Sequence, residues 1–266
     1  MESRRGANHG RSQWPQHAPD PRTDWKRPSI VVADRSAALV ELLTRRFNEQ
    51  GHATVGYSDP RRAIDHARRS TAEPPEAILV SLSFPSSDCN GLDVVLAYTR
   101  YCPETAVILY VDQSIDELAL LQVTWDAIHP ASAVSRQSAV SALVEIIETV
   151  LEQGRAEPDQ PLQHVIPVQR SVWRMPDGYG RLVPHAGHAK FWGALLDHDH
   201  PPQYKTMAVA TGLSVNTIKN YRDDLIPELR LHGLANPTLQ EMHRFAHLVR
   251  PLLEPVCRKR IADGQG

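Results

Sequence analysis

The chain has 266 residues, 41% of them hydrophobic and 23% charged, with a formal net charge of -2, a composition that leaves room for two modest globular domains. No apolar run approaches the roughly eighteen residues of a membrane span, and the opening MESRRGANHGRSQWPQHAPDPRTDW lacks the apolar stretch of a secretory leader, so a cytoplasmic setting is expected. Cys89, Cys102 and Cys257 are odd in number and form no C-x-x-C pair, which argues against a disulfide framework or a cysteine zinc site and in favour of free structural thiols.

In chain order, residues 1–27 carry six Lys+Arg against three acids with no periodicity and read as a disordered basic tail. From Pro28 to Gln153 short apolar runs alternate with amphipathic stretches. Strands are expected at 30–34, 53–57, 77–82 and 106–111 with a weak fifth at 133–135, and helices at 37–50, 60–69, 91–101, 115–125 and 138–153. Five such βα units in residues 28–153 specify a flavodoxin-like, doubly wound parallel sheet. This stretch holds nine Arg, no Lys and seventeen acids, so a polyanion would meet the other end of the chain. Residues 154–184, with Pro158, Pro161, Pro167, Pro176 and Pro184, are expected to be a linker whose apolar Val165, Ile166, Val168, Val172 and Trp173 could dock on a neighbouring domain. Residues 185–256 read as all helical: Phe191, Trp192, Leu195 and Leu196 make a first apolar face, a compact helix pair surrounds Gly212, and one helix spans about 238–253. Residues 257–266 are expected to be a flexible end.

The strongest local signal is KTMAVATGLSVNTIKNYRDDLIPEL, residues 205–229. A helix-turn-helix needs a small residue where its helices touch, a residue tolerant of positive φ in the turn, and apolar residues locking the second helix down. Ala208, Gly212 and then Leu213, Ile218 and Tyr221 supply these, and Ser214 is placed to cap the second helix. Val215, Asn216, Thr217, Lys219, Asn220, Arg222 and Asp223 are left facing outward. The segment resembles the DNA-binding domain of LuxR-type regulators, the output half of NarL/FixJ-type response regulators. The resemblance implies that Lys205 and Thr217 hold phosphates of double-stranded DNA while Lys219 and Asn220 reach base edges, with Ser214, Asn216 and Arg222 on the same surface. Asp223 departs from the family, which usually has a basic residue there.

The order of elements in residues 28–153 resembles a response-regulator receiver domain, through VVADRS, LVSLSFPSSDCNGLDV and TAVILYV. Aspartyl phosphorylation in such domains needs two acids to hold Mg²⁺, an Asp nucleophile, a small hydroxyl residue and a Lys. Asp34 keeps one acid, Arg35 replaces the second, Ser81 stands at the nucleophile, Tyr110 at the small hydroxyl and Arg136 at the Lys. Neither charge nor nucleophilicity of a carboxylate is available from Ser81. The altered pocket is either a scaffold, a site for a small-molecule or protein effector, or a state fixed by an Asp34 salt bridge to Arg35 or Arg136. Asp88 is the other acid weighed as a phosphorylation site.

His185, His188, His198 and His200 match no established zinc spacing and read as exposed polar side chains, and no P-loop, G-x-G-x-x-G, G-x-S-x-G or H-E-x-x-H is present. The expectation is therefore a non-enzymatic, sequence-specific DNA-binding regulator without cofactor, metal or membrane, working as a homodimer. The alternative is a protein-interaction adaptor whose helix-turn-helix meets a protein partner, a reading supported by Asp223 and Asp224.

Overall fold

A computed structural model describes residues 29–166, 177–232 and 234–264. The basic tail and Val168, Val172 and Trp173 lie outside the described residues.

The first part is an α/β sandwich: β1 (Ile30–Ala33), α1 (Ala37–Glu49), β2 (Thr54–Tyr57), α2 (Pro60–Arg69), β3 (Ala77–Ser81), α3 (Gly91–Tyr101), β4 (Ala106–Val111), α4 (Ile115–Ile128), β5 (Ser132–Ser135) and α5 (Val140–Gln153). The strands are parallel in the order β2-β1-β3-β4-β5, the flavodoxin-like arrangement. Alternate strand residues serve opposite faces. Ile30, Val32, Leu79, Ile108 and Val134 pack with Leu43 and Phe47 of α1 and Leu143 and Ile147 of α5, whereas Val31, Ala33, Ile78 and Val80 pack with Ala63, Leu92 and Leu121 of α2, α3 and α4. Helix starts are spelled locally: Ser36, Asp59, Asn90 and Ser114 each accept a first-turn amide. The parallel pairing sets the carboxyl ends of β1, β3, β4 and β5 side by side, which gathers Asp34, Ser81, Tyr110 and Arg136.

The expected linker is partly built into this sandwich. Beyond α5 the chain turns back at Gly154 (φ 76°) and runs along β5, where Ala156 N donates to Ala131 O at 3.1 Å and Asp159 N to Ala133 O at 3.1 Å. The Asp159 carboxylate then accepts the Ser135 amide at 2.7 Å and the Ser138 hydroxyl at 2.5 Å. A short helix α6 (Gln160–Gln163) follows, with Leu162 and Ile166 buried. Prolines here remove ladder donors without preventing the chain from lying beside a sheet edge.

The second part is helical: α7 (Asp177–Leu182), α8 (Ala186–Leu196), α9 (Tyr204–Thr211), α10 (Val215–Leu231), α11 (Leu239–Leu248) and α12 (Arg250–Asp263). Its centre is α8, where Phe191, Trp192 and Leu195 are fully buried and the Trp192 indole donates to Leu182 O at 2.7 Å. Thr238 and Glu241 close a reciprocal cap at the start of α11. Two expectations are corrected here. The helix read over 238–253 is two helices broken at Val249, because Pro251 has no amide to continue the ladder and suits the first turn of a new helix. Residues 257–263 are not a flexible end but the last turns of α12, pinned by buried Leu253 and Cys257 and by Val256 and Ile261 packed on the same core. Among the described residues no helix is long and apolar enough to cross a membrane.

Candidate functional site

Two clusters carry the residues singled out in the sequence. The first lies at the carboxyl edge of the sheet. Arg136, just past β5, forms an ion pair through Nη2 with Asp34 Oδ2, and the same nitrogen donates to Ser81 Oγ at 2.9 Å. Its guanidinium lies 4.6 Å from the Tyr110 ring centroid. Ser81 Oγ in turn donates to Ser83 O at 3.3 Å, and Asp34 Oδ1 accepts the Ser36 amide at 2.7 Å. Burial pushes the Asp34 carboxyl above the usual carboxylate range, while the Ser36 N–H, Arg136 and Arg35 pull it back. Arg35 points elsewhere: Nη1 donates to Glu117 Oε1 at 3.0 Å and Nη2 to Asp112 Oδ2 at 3.2 Å. Of the two salt bridges weighed for Asp34, the one formed is to Arg136. Asp34, Ser81, Tyr110 and Arg136 are thus one connected group. Asp88 sits on the exposed loop after β3, paired with Arg61 at 2.7 Å.

The second cluster is the face of α9 and α10. Gly212 holds the left-handed turn between them (φ 69°), and Ser214 Oγ accepts Thr217 N at 3.0 Å to start α10. Met207, Ile218, Leu225 and Leu229 are buried beneath, with Ala208, Leu213 and Tyr221 packed against them. Lys205, Ser214, Asn216, Lys219 and Asn220 are exposed, and Thr217 is half-buried with its hydroxyl 2.8 Å from Ser214 Oγ. Arg222 is the residue that differs from the reading of an outward, available side chain. It is 30% exposed, its guanidinium donates to Asp223 Oδ1 at 2.7 Å, and it reaches Tyr204 OH at 3.1 Å. Lys219 Nζ stands 5.7 Å from the Tyr204 ring centroid, so Tyr204 organises both cations.

Sequence reasoning passed over several partners. Glu117 is one, although S-x-x-E at Ser114 to Glu117 spells a helix start; its other oxygen accepts Asp112 N at 2.7 Å. His188 is a correction. It is buried against Tyr221 rather than exposed, with ring centroids 4.4 Å apart. Gly187 N donates to His185 Nδ1 at 3.0 Å, which places the His185 proton on Nε2, facing His188 Nδ1 at 3.0 Å. His188 therefore keeps its proton on Nε2, which finds no acceptor among the described residues. Burial, and next the neighbouring His185, push the His188 ring down to about 4. Among the described residues no group of three His, Cys, Asp or Glu side chains is arranged to hold a metal ion.

No family model matches the chain, and no curated protein matches it. Solved structures do. The two-component response regulator RcsB in complex with DNA is similar over 82% of this chain and 97% of its own, with 14% identity and a TM-score of 0.50. RcsB from Salmonella enterica serovar Typhimurium, bound to promoter rprA in the presence of the phosphomimetic BeF3-, covers 82% of this chain and 96% of its own at 14% identity and a TM-score of 0.47. A two-component response regulator of the LuxR family from Aurantimonas covers 52% and 93% at 18% identity and a TM-score of 0.40. At these identities the likeness is one of fold: a flavodoxin-like receiver sheet followed by a helical C-terminal part.

Proposed function

We propose that this chain is a sequence-specific DNA-binding transcription regulator of the response-regulator type, governed by something other than an aspartyl phosphate. In this reading residues 28–153 form an atypical receiver domain and the helical part is the output domain, which the packing of α7 and α12 extends from the expected 185–256 to Asp177–Asp263. The observation that carries it is the α9-turn-α10 unit, whose exposed Asn216, Lys219 and Asn220 stand on a rigid, capped helix in a chain folded like a regulator solved on DNA. Lys219 suits guanine acceptors and Asn220 suits adenine, each good contact contributing on the order of 1–3 kcal/mol of discrimination. Lys205 and Thr217 take phosphates. Arg222, neutralised by Asp223, contributes little to non-specific affinity, so base contacts decide the site. A homodimer would set two α10 helices about one DNA turn apart on an inverted repeat. The Asp34–Arg136 pair supports a receiver-like half that needs no phosphoryl group to hold its conformation, and a small molecule or partner protein would act by competing for that pair.

The test is selection of bound genomic fragments followed by fluorescence anisotropy on the enriched site. Lys219→Ala and Asn220→Ala should each weaken binding to that site at least about fivefold while leaving random-sequence binding within about threefold. Equal binding of wild type and both variants to every fragment overturns the proposal. A partner interaction with no steep loss as salt rises would favour the adaptor reading instead.

A further inference from the structure

We infer that the loop between β3 and α3 is a latch that carries the state of the Arg136 cluster to the helical half through Asn90. The inference concerns the coupling of the two halves and stands whether or not α10 meets DNA. Ser81, whose hydroxyl Arg136 holds at 2.9 Å, is the last residue of β3. The chain leaves it through the loop 82–90, which turns at 84–87 and returns so closely that Gly91 N donates to Leu82 O at 2.9 Å. Gly91 is packed on the Ser81 carbonyl and on Leu82 Cα with no room for a Cβ. In a close-packed interior a shift of Ser81 is therefore a shift of Gly91.

The next residue back, Asn90, works in two directions. Its Oδ1 accepts Leu92 N at 2.9 Å and Asp93 N at 3.3 Å, starting α3, and its Nδ2 donates across to Leu248 O at 3.1 Å. Leu248 ends α11, where last-turn carbonyls have no partner within the helix, so the amide closes that end from the other half of the molecule. Asp93 completes the cap by accepting Asn90 N at 2.8 Å and sits in the field of Arg250 and Glu254 at the start of α12. One residue thus couples the start of α3 to the α11–α12 joint, and its neighbour touches the strand that Arg136 grips.

Hydrogen exchange of the full chain, read on peptides spanning residues 248–253, tests the latch. Asn90→Asp keeps a good helix cap but cannot donate to the Leu248 carbonyl. Arg136→Lys keeps a cation beside Asp34 but gives up the fork that reaches both Asp34 and Ser81. Each variant should speed exchange in 248–253 by about threefold or more, and the double variant should exchange no faster than Asn90→Asp alone. Ser81→Ala serves as the milder second perturbation, with an intact circular dichroism spectrum required of every variant. Unchanged exchange in both Arg136→Lys and Ser81→Ala overturns the latch, as does a double variant in which the two effects multiply.

Discussion

Replacing Arg136 with alanine strips the counter-charge from Asp34, whose side chain is 1% exposed, and leaves the Ser36 amide as the remaining donor to its carboxylate among the described residues. Removing one member of a buried pair costs about 3–5 kcal/mol, most of it the isolated charge left behind. The upper half of that range is expected, because the same guanidinium also holds Ser81 and covers Tyr110. For a domain of this size each kcal/mol lowers Tm by roughly 3–4 °C, so the α/β half should melt about 12–20 °C lower at neutral pH. Acid separates charge from packing. Burial raises the Asp34 pKa and Arg136 opposes that rise, so without Arg136 the folded-state value climbs further. A carboxyl whose folded pKa exceeds its unfolded pKa contributes its full stability below the unfolded value and loses it as pH climbs through the folded one. The deficit of Arg136→Ala is therefore larger at pH 7 than at pH 5, because acid moves Asp34 toward the protonated form, which needs no cation. Urea unfolding of the full chain at both values, followed by circular dichroism, measures it. A loss below about 1 kcal/mol near pH 7, the worth of an exposed pair, would refute the reasoning. So would an equal loss at both pH values.

Gly91→Ala forces a methyl into backbone atoms of Ser81 and Leu82, and a thermal melt should show a destabilisation of about 1–3 kcal/mol. Gly212→Ala meets open space, so its cost is the left-handed backbone alone, about 1–2 kcal/mol, visible as a lower melting temperature of the helical part with α10 still formed by circular dichroism. His188 acts with the opposite sign to Asp34: its folded pKa of about 4 lies below the ordinary value, so its contribution is present at neutral pH and lost as pH falls through the interval between the two. The helical part should lose up to roughly 3 kcal/mol between pH 7 and pH 4, and His188→Gln should flatten that slope in urea titrations.

Three strands of the α/β half, β1, β3 and β4, were legible because each is a short run rich in Val, Ile and Leu, and α1 to α4 because a Ser, Asp or Asn caps each of them. So was the unit around Gly212, where the turn residue and the cap are local. The partners of the site were not. Which of Arg35 and Arg136 pairs with Asp34, that Arg35 would turn to Glu117 and Asp112, and that Asn90 would reach Leu248 depend on contacts between residues 77 to 158 positions apart, set by strand order and packing. The path of residues 154–166 was misread for a related reason. Prolines announce the end of a helix, but nothing local announces that Asp159 will find two donors at and just past the carboxyl end of β5. At the C-terminus Leu253, Val256, Cys257 and Ile261 already carried a helical repeat that outweighs the polar residues between them.

The segment lying along β5 bears on how this protein can be cut. A bare outer strand offers its free amides and carbonyls to any other chain that can lie beside it, which is a route to aggregation. Here Ala131 and Ala133 give their carbonyls to Ala156 and Asp159, and the Ser135 amide is taken by a side chain of the same segment. A fragment ending after α5 would uncover those groups together with the apolar surface under Leu162 and Ile166, and it should clump during refolding where a fragment carried through residue 166 stays dispersed.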